Sequence, residues 1–270
     1  MKKPEAILCL DIDGTLIDER EQIHSEDVKL VNNYPKTIQL ILTTGRPLGS
    51  AKGVLYANKI YQDMDLPIPG VFMNGTAGYL REEKLVFQHH FPIVVLEELI
   101  NLADHHQDST FAFFTLSHVY LVHPTPFSLQ VSEKHYLSYR ISQTTEIPQK
   151  INKMMVIENN REKLQQIKNL TRYINAEIAY SLPYLLEFSP KGINKPAALK
   201  TLLSELKLDG KPMYAVGDGQ NDLALFELAE ISFAPSTAHE KIKHNVDQVI
   251  KREEKGILKP ILEIINQNNL

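Results

Sequence analysis

One cysteine, Cys9, in 270 residues excludes an internal disulfide framework and a cysteine-rich metal site. No apolar stretch reaches the ~20 residues that a membrane-spanning helix needs. The opening MKKPEAILCLDIDG runs into charge rather than into a small-residue cleavage site, so no leader and a cytoplasmic location are expected. Basic residues are not in excess: 29 stand against 33 acidic ones, a net charge of −4. There is no clustered basic patch of the kind that nucleic acid or an anionic membrane would require, and neither partner is expected. G-x-G-x-x-G and the P-loop pattern are both absent, which removes the usual signatures of dinucleotide and P-loop nucleotide binding.

What is present is a chain with 43% apolar residues, long enough for two domains with proper cores. Continuous apolar, β-rich runs end in polar or glycine-containing turns at AILCLDIDGT, IQLILTTGR, GVFMNGT and MYAVGDGQND, and again near Ile231 to Ala234. Such runs read as strands buried on both faces. Helix patterns lie between them: Ser25 to Asn33 with Ser25 as cap, Leu48 to Ile60, Lys195 to Leu206, and Asp222 to Ala229. The alternation predicts an α/β fold with a doubly wound, Rossmann-like parallel sheet. The middle of the chain departs from it, with strands at KLVFQHHF, TFAFFTL, HVYLVH, NKMMVIE, AEIAYSLP and YLLEFSP and helices at Ile93 to His106 and Arg161 to Tyr173. This predicts an inserted α+β domain over 81–187, with the order strand, helix, strand, strand given twice. The sheet domain is then split into 1–80 and 188–270.

In open parallel sheets the reacting groups gather beyond the carboxyl ends of the strands, where Asp11, Thr44, Asn74 and Asp218 fall. Residues two apart on an extended strand face the same side, so Asp11 and Asp13 could share one site. At ~4 Å and an effective dielectric of 20 their repulsion would be on the order of 4 kcal/mol, which a divalent cation held by oxygen ligands would reverse. GDGQND supplies a second acid pair, Asp218 and Asp222, at another strand end. Thr44 offers a hydroxyl and backbone N–H groups near a helix N-terminus, a natural anion contact. In SPKGINKPAAL, Lys195 opens a helix whose N-terminal dipole disfavours a cation, unless an anion such as phosphate compensates; Lys191 is close enough to compete for the role. Together these are the parts for phosphoryl transfer to a carboxylate.

The motifs DIDGT, TTGR, INKPAAL and GDGQNDLALFELA, with MNGTAGY before the middle segment, resemble those of the haloacid dehalogenase superfamily, and within it the Cof-type phosphatases with a large inserted cap. The resemblance implies a phosphatase acting on small phosphorylated metabolites. Asp11 would be the nucleophile that forms an aspartyl phosphate, and Asp13 the acid and base. Thr44 and Lys195 would hold the phosphoryl oxygens. Asp11, the Asp13 carbonyl, Asp218 and Asp222 would bind Mg2+. Gly45, Arg46, Asn74, Gly75 and Asn221 complete the expected substrate contacts. Pro196, where the family usually has a small residue after the lysine, is a departure. Similar motifs also serve phosphomutases, and clustered acids with a hydroxyl and a lysine serve non-catalytic phospho-acceptors; an acid/base at Asp13 argues against the latter.

The remaining residues read as ordinary. Cys9, Met154 and Met155 are expected in the core. His89, His90, His105 and His106 lack the spacing of a zinc motif. The KREEK run from Lys251 reads as a solvated loop.

Overall fold

The computed structural model describes residues 4–60, 68–252 and 255–268. Met1–Lys3, at the start from which the absence of a leader is read, and Glu253 and Glu254 within KREEK lie outside the described residues. Along the chain the strands are β1 Ala6–Leu10, β2 Ile38–Thr43, β3 Gly70–Phe72, β4 Ala77–Tyr79 and β5 Leu85–Gln88. The middle segment adds β6 Thr110–Phe114, β7 Val119–Val122, β8 Tyr139–Ile141, β9 Lys153–Ile157, β10 Ala176–Leu182 and β11 Leu185–Pro190. After them come β12 Met213–Val216, β13 Ile231–Pro235 and β14 Gln248–Ile250.

The apolar runs AILCL and IQLILT become central strands because every side chain in them is buried, on one face or the other. They lie in an eight-stranded sheet of order β14-β13-β12-β1-β2-β3-β4-β5, parallel as far as β3. Leu8, Leu10, Leu40 and Leu42 share one apolar cluster with Val54 and Leu55 of the helix Leu48–Ala57, and with Ile261 and Ile265 of the helix Leu258–Asn268. Ile7, Cys9, Ile41 and Val71 share the other with Leu199 and Leu202 of the helix Lys195–Leu206. Helices on both faces make the sheet doubly wound. Cys9 is a buried core residue, and burial pushes its thiol up to about 12.

The second sheet has the order β10-β11-β9-β6-β7-β8 and is antiparallel apart from β7 and β8. Its one face packs Phe111, Phe113, Met154, Val156 and Phe188 with Leu96 and Leu99 of Ile93–His105 and Leu164 and Ile167 of Arg161–Leu170. Among the described residues no helix is long and apolar enough to cross a membrane.

Four local expectations change. The strand in KLVFQHHF belongs to the first sheet, because a turn over Arg81–Glu83 folds β5 back antiparallel onto β4, with Gly78 opposite Phe87. The twofold strand-helix-strand-strand order is interrupted by an extra helix, Pro126–Lys134, and by β8. That helix starts at a Thr125 and Ser128 capping box followed by proline, a legible signal; β8 is three half-buried or exposed residues with no apolar run. The first helix is capped by His24, whose Nδ1 accepts from the Glu26 N–H at 3.3 Å, and Ser25 is its first helical residue. After the turn Gln220–Asp222 only Leu223–Phe226 is α-helical.

Asp27, fully buried in the helix Ser25–Asn32, ties it to the start of the helix Leu258–Asn268: its carboxylate accepts from the Ile257 and Leu258 N–H groups at 2.9 and 2.8 Å. Replacing Asp27 with alanine strands two buried donors at a helix start, an expected loss of about 3 kcal/mol. Urea denaturation measures it; an unchanged midpoint would show that these bonds contribute nothing.

Candidate active site

β1 stops at Leu10. A wide turn over Ile12–Leu16, closed by the Ile17 N–H on the Ile12 carbonyl at 2.9 Å, follows Asp11, so Asp11 and Asp13 are not two positions of one extended strand. Gly14 makes that turn at φ +66, where L side chains are strained. A Cβ there would sit 1.9 Å from Asp218 Oδ2, so the missing side chain leaves the room that Asp218 occupies.

Asp11, Asp218 and Asp222 converge, with one carboxylate oxygen of each within 4.8 Å of the others. Asp11 follows β1, and Asp218 follows β12, its hydrogen-bonded neighbour in the sheet. Lys195 is buried at the start of its helix and donates to Asp11 Oδ1 at 2.9 Å and to Asp222 Oδ1 at 2.7 Å. The cation that the helix dipole disfavours is thus stabilised by two carboxylates. Lys191 is mostly exposed and pairs with Glu177 at 3.2 Å, away from the acids. Asn194 caps the helix through the Ala197 N–H, and Gly75, at φ +108, packs so tightly on the Asn194 carbonyl that a Cβ would meet it at 2.5 Å.

One ammonium does not balance this many acids. Burial, then the charges of Asp222 and Asp13, push Asp218 up to about 7 against the pull of Lys195. Burial also raises Asp11; Lys195 opposes it, and Asp222, Asp218 and Asp13 add to it. Burial works against the Lys195 ammonium, yet Asp11 and Asp222 hold it above its ordinary value. Clustered carboxylate oxygens with unrelieved mutual repulsion fit a hard divalent cation.

Thr44, directly after β2, is fully buried, and its Oγ1 accepts from the Arg46 N–H at 3.1 Å. Arg46 is buried. Its guanidinium spans Asp13 at 2.7 to 3.0 Å, Glu21 at 2.7 Å and Ser50 at 3.2 Å. Burial would lower its pKa, but Asp13 and then Glu21 hold it above the usual arginine range. Asn74, in a left-handed turn after β3, donates to Glu187 Oε2 at 2.8 Å and accepts from Asn221 Nδ2 at 3.1 Å. Gly45 lies against the Asn74 side chain, at 3.2 Å from a Cβ position to Oδ1.

The second sheet and its connections bring residues that motif reading missed. Lys153 and Glu187 pair at 2.9 Å, and Lys153 donates to the Gly45 carbonyl at 3.0 Å. A charged residue inside an otherwise apolar strand, as in NKMMVIE and LLEFSP, was the available signal. His135 Nδ1 lies 3.6 Å from Glu21, and burial, then Arg46, hold its pKa below the usual value. Nothing in its local sequence marks it.

The fold and the comparisons with known proteins define the class, a phosphoric monoester hydrolase. The family model for haloacid dehalogenase-like hydrolases matches residues 8–261, and the chain belongs to that family. It is 23% identical over 262 residues, 94% of each chain, to 5-amino-6-(5-phospho-D-ribitylamino)uracil phosphatase YcsE of Bacillus subtilis. It is 24% identical over 269 residues to the chloroplastic endoribonuclease YBEY of Arabidopsis thaliana, a match covering 93% of this chain and 45% of that protein. The chain thus spans about half the length of that relative. A haloacid dehalogenase-like hydrolase from Bacteroides thetaiotaomicron shares the fold with a TM-score of 0.80 at 22% identity, over 97% of this chain and 100% of that one.

Replacing Gly14 with alanine is expected to displace Asp218. The cost in stability is about 1 kcal/mol from the left-handed backbone, and the loss of turnover on the order of 100-fold. Thermal melting beside steady-state kinetics separates the two; a variant as active as the parent would show that Asp218 is not needed where it stands.

Proposed function

We propose that the protein is a magnesium-dependent phosphatase that hydrolyses phosphate monoesters of small metabolites through an aspartyl phosphate on Asp11. The observation that carries this reading is the convergence of Asp11, Asp218 and Asp222 around the Lys195 ammonium. Asp11, the Asp13 carbonyl, Asp218 and Asp222 would hold Mg2+, which when bound offsets carboxylate repulsion and the charge of the phosphoryl oxygens.

Asp11 attacks phosphorus while Asp13 gives its proton to the departing alcohol oxygen, leaving a phosphorylated Asp11 and an ionised Asp13. Water then attacks the same phosphorus, Asp13 takes its proton, and inorganic phosphate leaves with the Asp11 carboxylate restored. Lys195 and Thr44 bind the phosphoryl oxygens, the lysine offsetting negative charge that the acids would otherwise repel. Asp13 is held by Arg46, so proton transfer requires its carboxylate to turn from the guanidinium toward the leaving oxygen; a side chain 48% exposed has the room. Arg46 thus acts on the reaction by parking Asp13 rather than by touching substrate.

The proposal includes the division of labour in the chain. Residues 1–80 and 188–270 form the catalytic unit, and 81–187, whose strands build most of the second sheet, select the leaving group and exclude water. One relative, the 5-amino-6-(5-phospho-D-ribitylamino)uracil phosphatase of Bacillus subtilis, is named for a phosphorylated metabolite of modest size, which supports this reading.

Asp11→Asn should keep the fold and lose turnover by at least on the order of 10³-fold; hydrolysis at the parental rate would sink the mechanism. A panel of phosphorylated metabolites assayed in EDTA and again with added magnesium should show activity only in the second, and turnover that persists in EDTA would remove the metal. Since Asp218 stands at about 7 without a cation, Mg2+ binding should release a proton near neutrality and weaken as pH falls below 7. Calorimetry in two buffers of different ionisation enthalpy reads that proton directly.

A further inference from the structure

Lys153 and Glu187 lie on β9 and β11, which pair antiparallel. Strand alternation puts Lys153 on one face with Met155 and Ile157, and Glu187 on one face with Leu185. Both side chains are buried, at 1% and 9% exposure. The face is otherwise apolar here: the Phe114 ring stands 5.7 Å from Lys153 Nζ. The pair is out of place as packing, and its bonds run elsewhere. Lys153 reaches the carbonyl of Gly45, the residue after Thr44. Glu187 reaches Asn74, whose other amide atom meets Asn221, the residue before Asp222. The two charges are therefore tied, from the second-sheet side, to residues next to Thr44 and, through Asn74 and Asn221, to the residue before Asp222.

An ammonium and a carboxylate in contact sum to zero. A neutral leaving group entering between the two sheets meets a donor and an acceptor with no net charge. A leaving group with its own anion must either face the Glu187 carboxylate or draw Lys153 away from it, and the second course leaves a buried charge without its partner. Discrimination of this kind works through the cost imposed on the wrong ligand.

We propose that Lys153 and Glu187 are specificity-determining residues that favour phosphate esters of neutral, hydrogen-bonding alcohols over esters whose leaving group carries a second anion. The inference rests on the phosphatase reading above and extends it to the substrate class. Neither residue lies in the four motifs, and Glu187 is the element that does the excluding.

Two esters of similar size provide the test: glycerol 3-phosphate, whose leaving alcohol is neutral, and 3-phosphoglycerate, whose leaving group bears a carboxylate. Their kcat/KM ratio is measured for the parent, Glu187→Gln, Lys153→Met and the double variant, with melting curves to confirm folding. The parent should prefer the neutral ester. Glu187→Gln leaves Lys153 free for the carboxylate and should shift the ratio about tenfold toward 3-phosphoglycerate, a shift typical of one altered pocket contact. Lys153→Met should shift it the other way. The double variant replaces both charges together, a change that buried pairs tolerate better than the loss of one partner, and should return close to the parental ratio. Equal effects on both esters in each single variant would overturn the inference and leave a purely structural pair. If no form, the parent included, hydrolyses either ester with magnesium present, and the parent also leaves the panel of metabolites intact, the phosphatase reading fails. The ratio is then read from calorimetric binding of the two intact esters, where a ratio unchanged by Glu187→Gln overturns the inference separately.

Discussion

Everything at the candidate site depends on the Lys195 ammonium held between Asp11 and Asp222. A cation fully removed from water survives only with carboxylates in contact, and these carboxylates converge only where two strand ends face one helix start. Gly75 against the Asn194 carbonyl lets that helix approach, and Gly14 clears space for Asp218. Burial raises Asp11 and Asp218, and the neighbouring carboxylates, which outnumber the one ammonium, add to it. The arrangement is a poor device for stability, and its oxygens suit a hard cation.

A second polar layer stands over the first. Arg46 ties Asp13 to Glu21 and, through Ser50, whose hydroxyl donates to the His135 carbonyl, to the end of the helix Pro126–Lys134. Lys153 and Glu187 tie the second sheet to Gly45 and Asn74. The two ties lie on the loops that follow β1, β2 and β3, so any displacement of the second sheet is felt by groups beside Asp13 and Thr44. These contacts are the physical basis of the proposal that the middle segment takes part in selection.

Much of the fold was legible because parallel strands buried on both faces write continuous apolar runs, and β1, β2, β3 and β12 do so. The helix Lys195–Leu206 and the polar residues after each of these strands were legible for the same reason: periodicity and turn chemistry are local. Where a residue's environment is made by distant chain, reading failed. The strand Leu85–Gln88 looked like part of the middle segment because only its pairing with β4 says otherwise. Nothing local in TTGR says that the Arg46 guanidinium reaches Asp13 and Glu21.

By itself, then, the sequence determined the alternating α/β order, the strand-end acids and the lysine at a helix that should resist it, since each follows from side chains near one another in the chain. Tertiary structure alone decided that Lys195 rather than Lys191 meets the acids, that Asp13 is parked on Arg46, and that Lys153 and Glu187 reach Gly45 and Asn74. Those outcomes are set by contacts between residues up to 184 positions apart, and an electrostatic field of that kind exists only once the chain has closed upon itself.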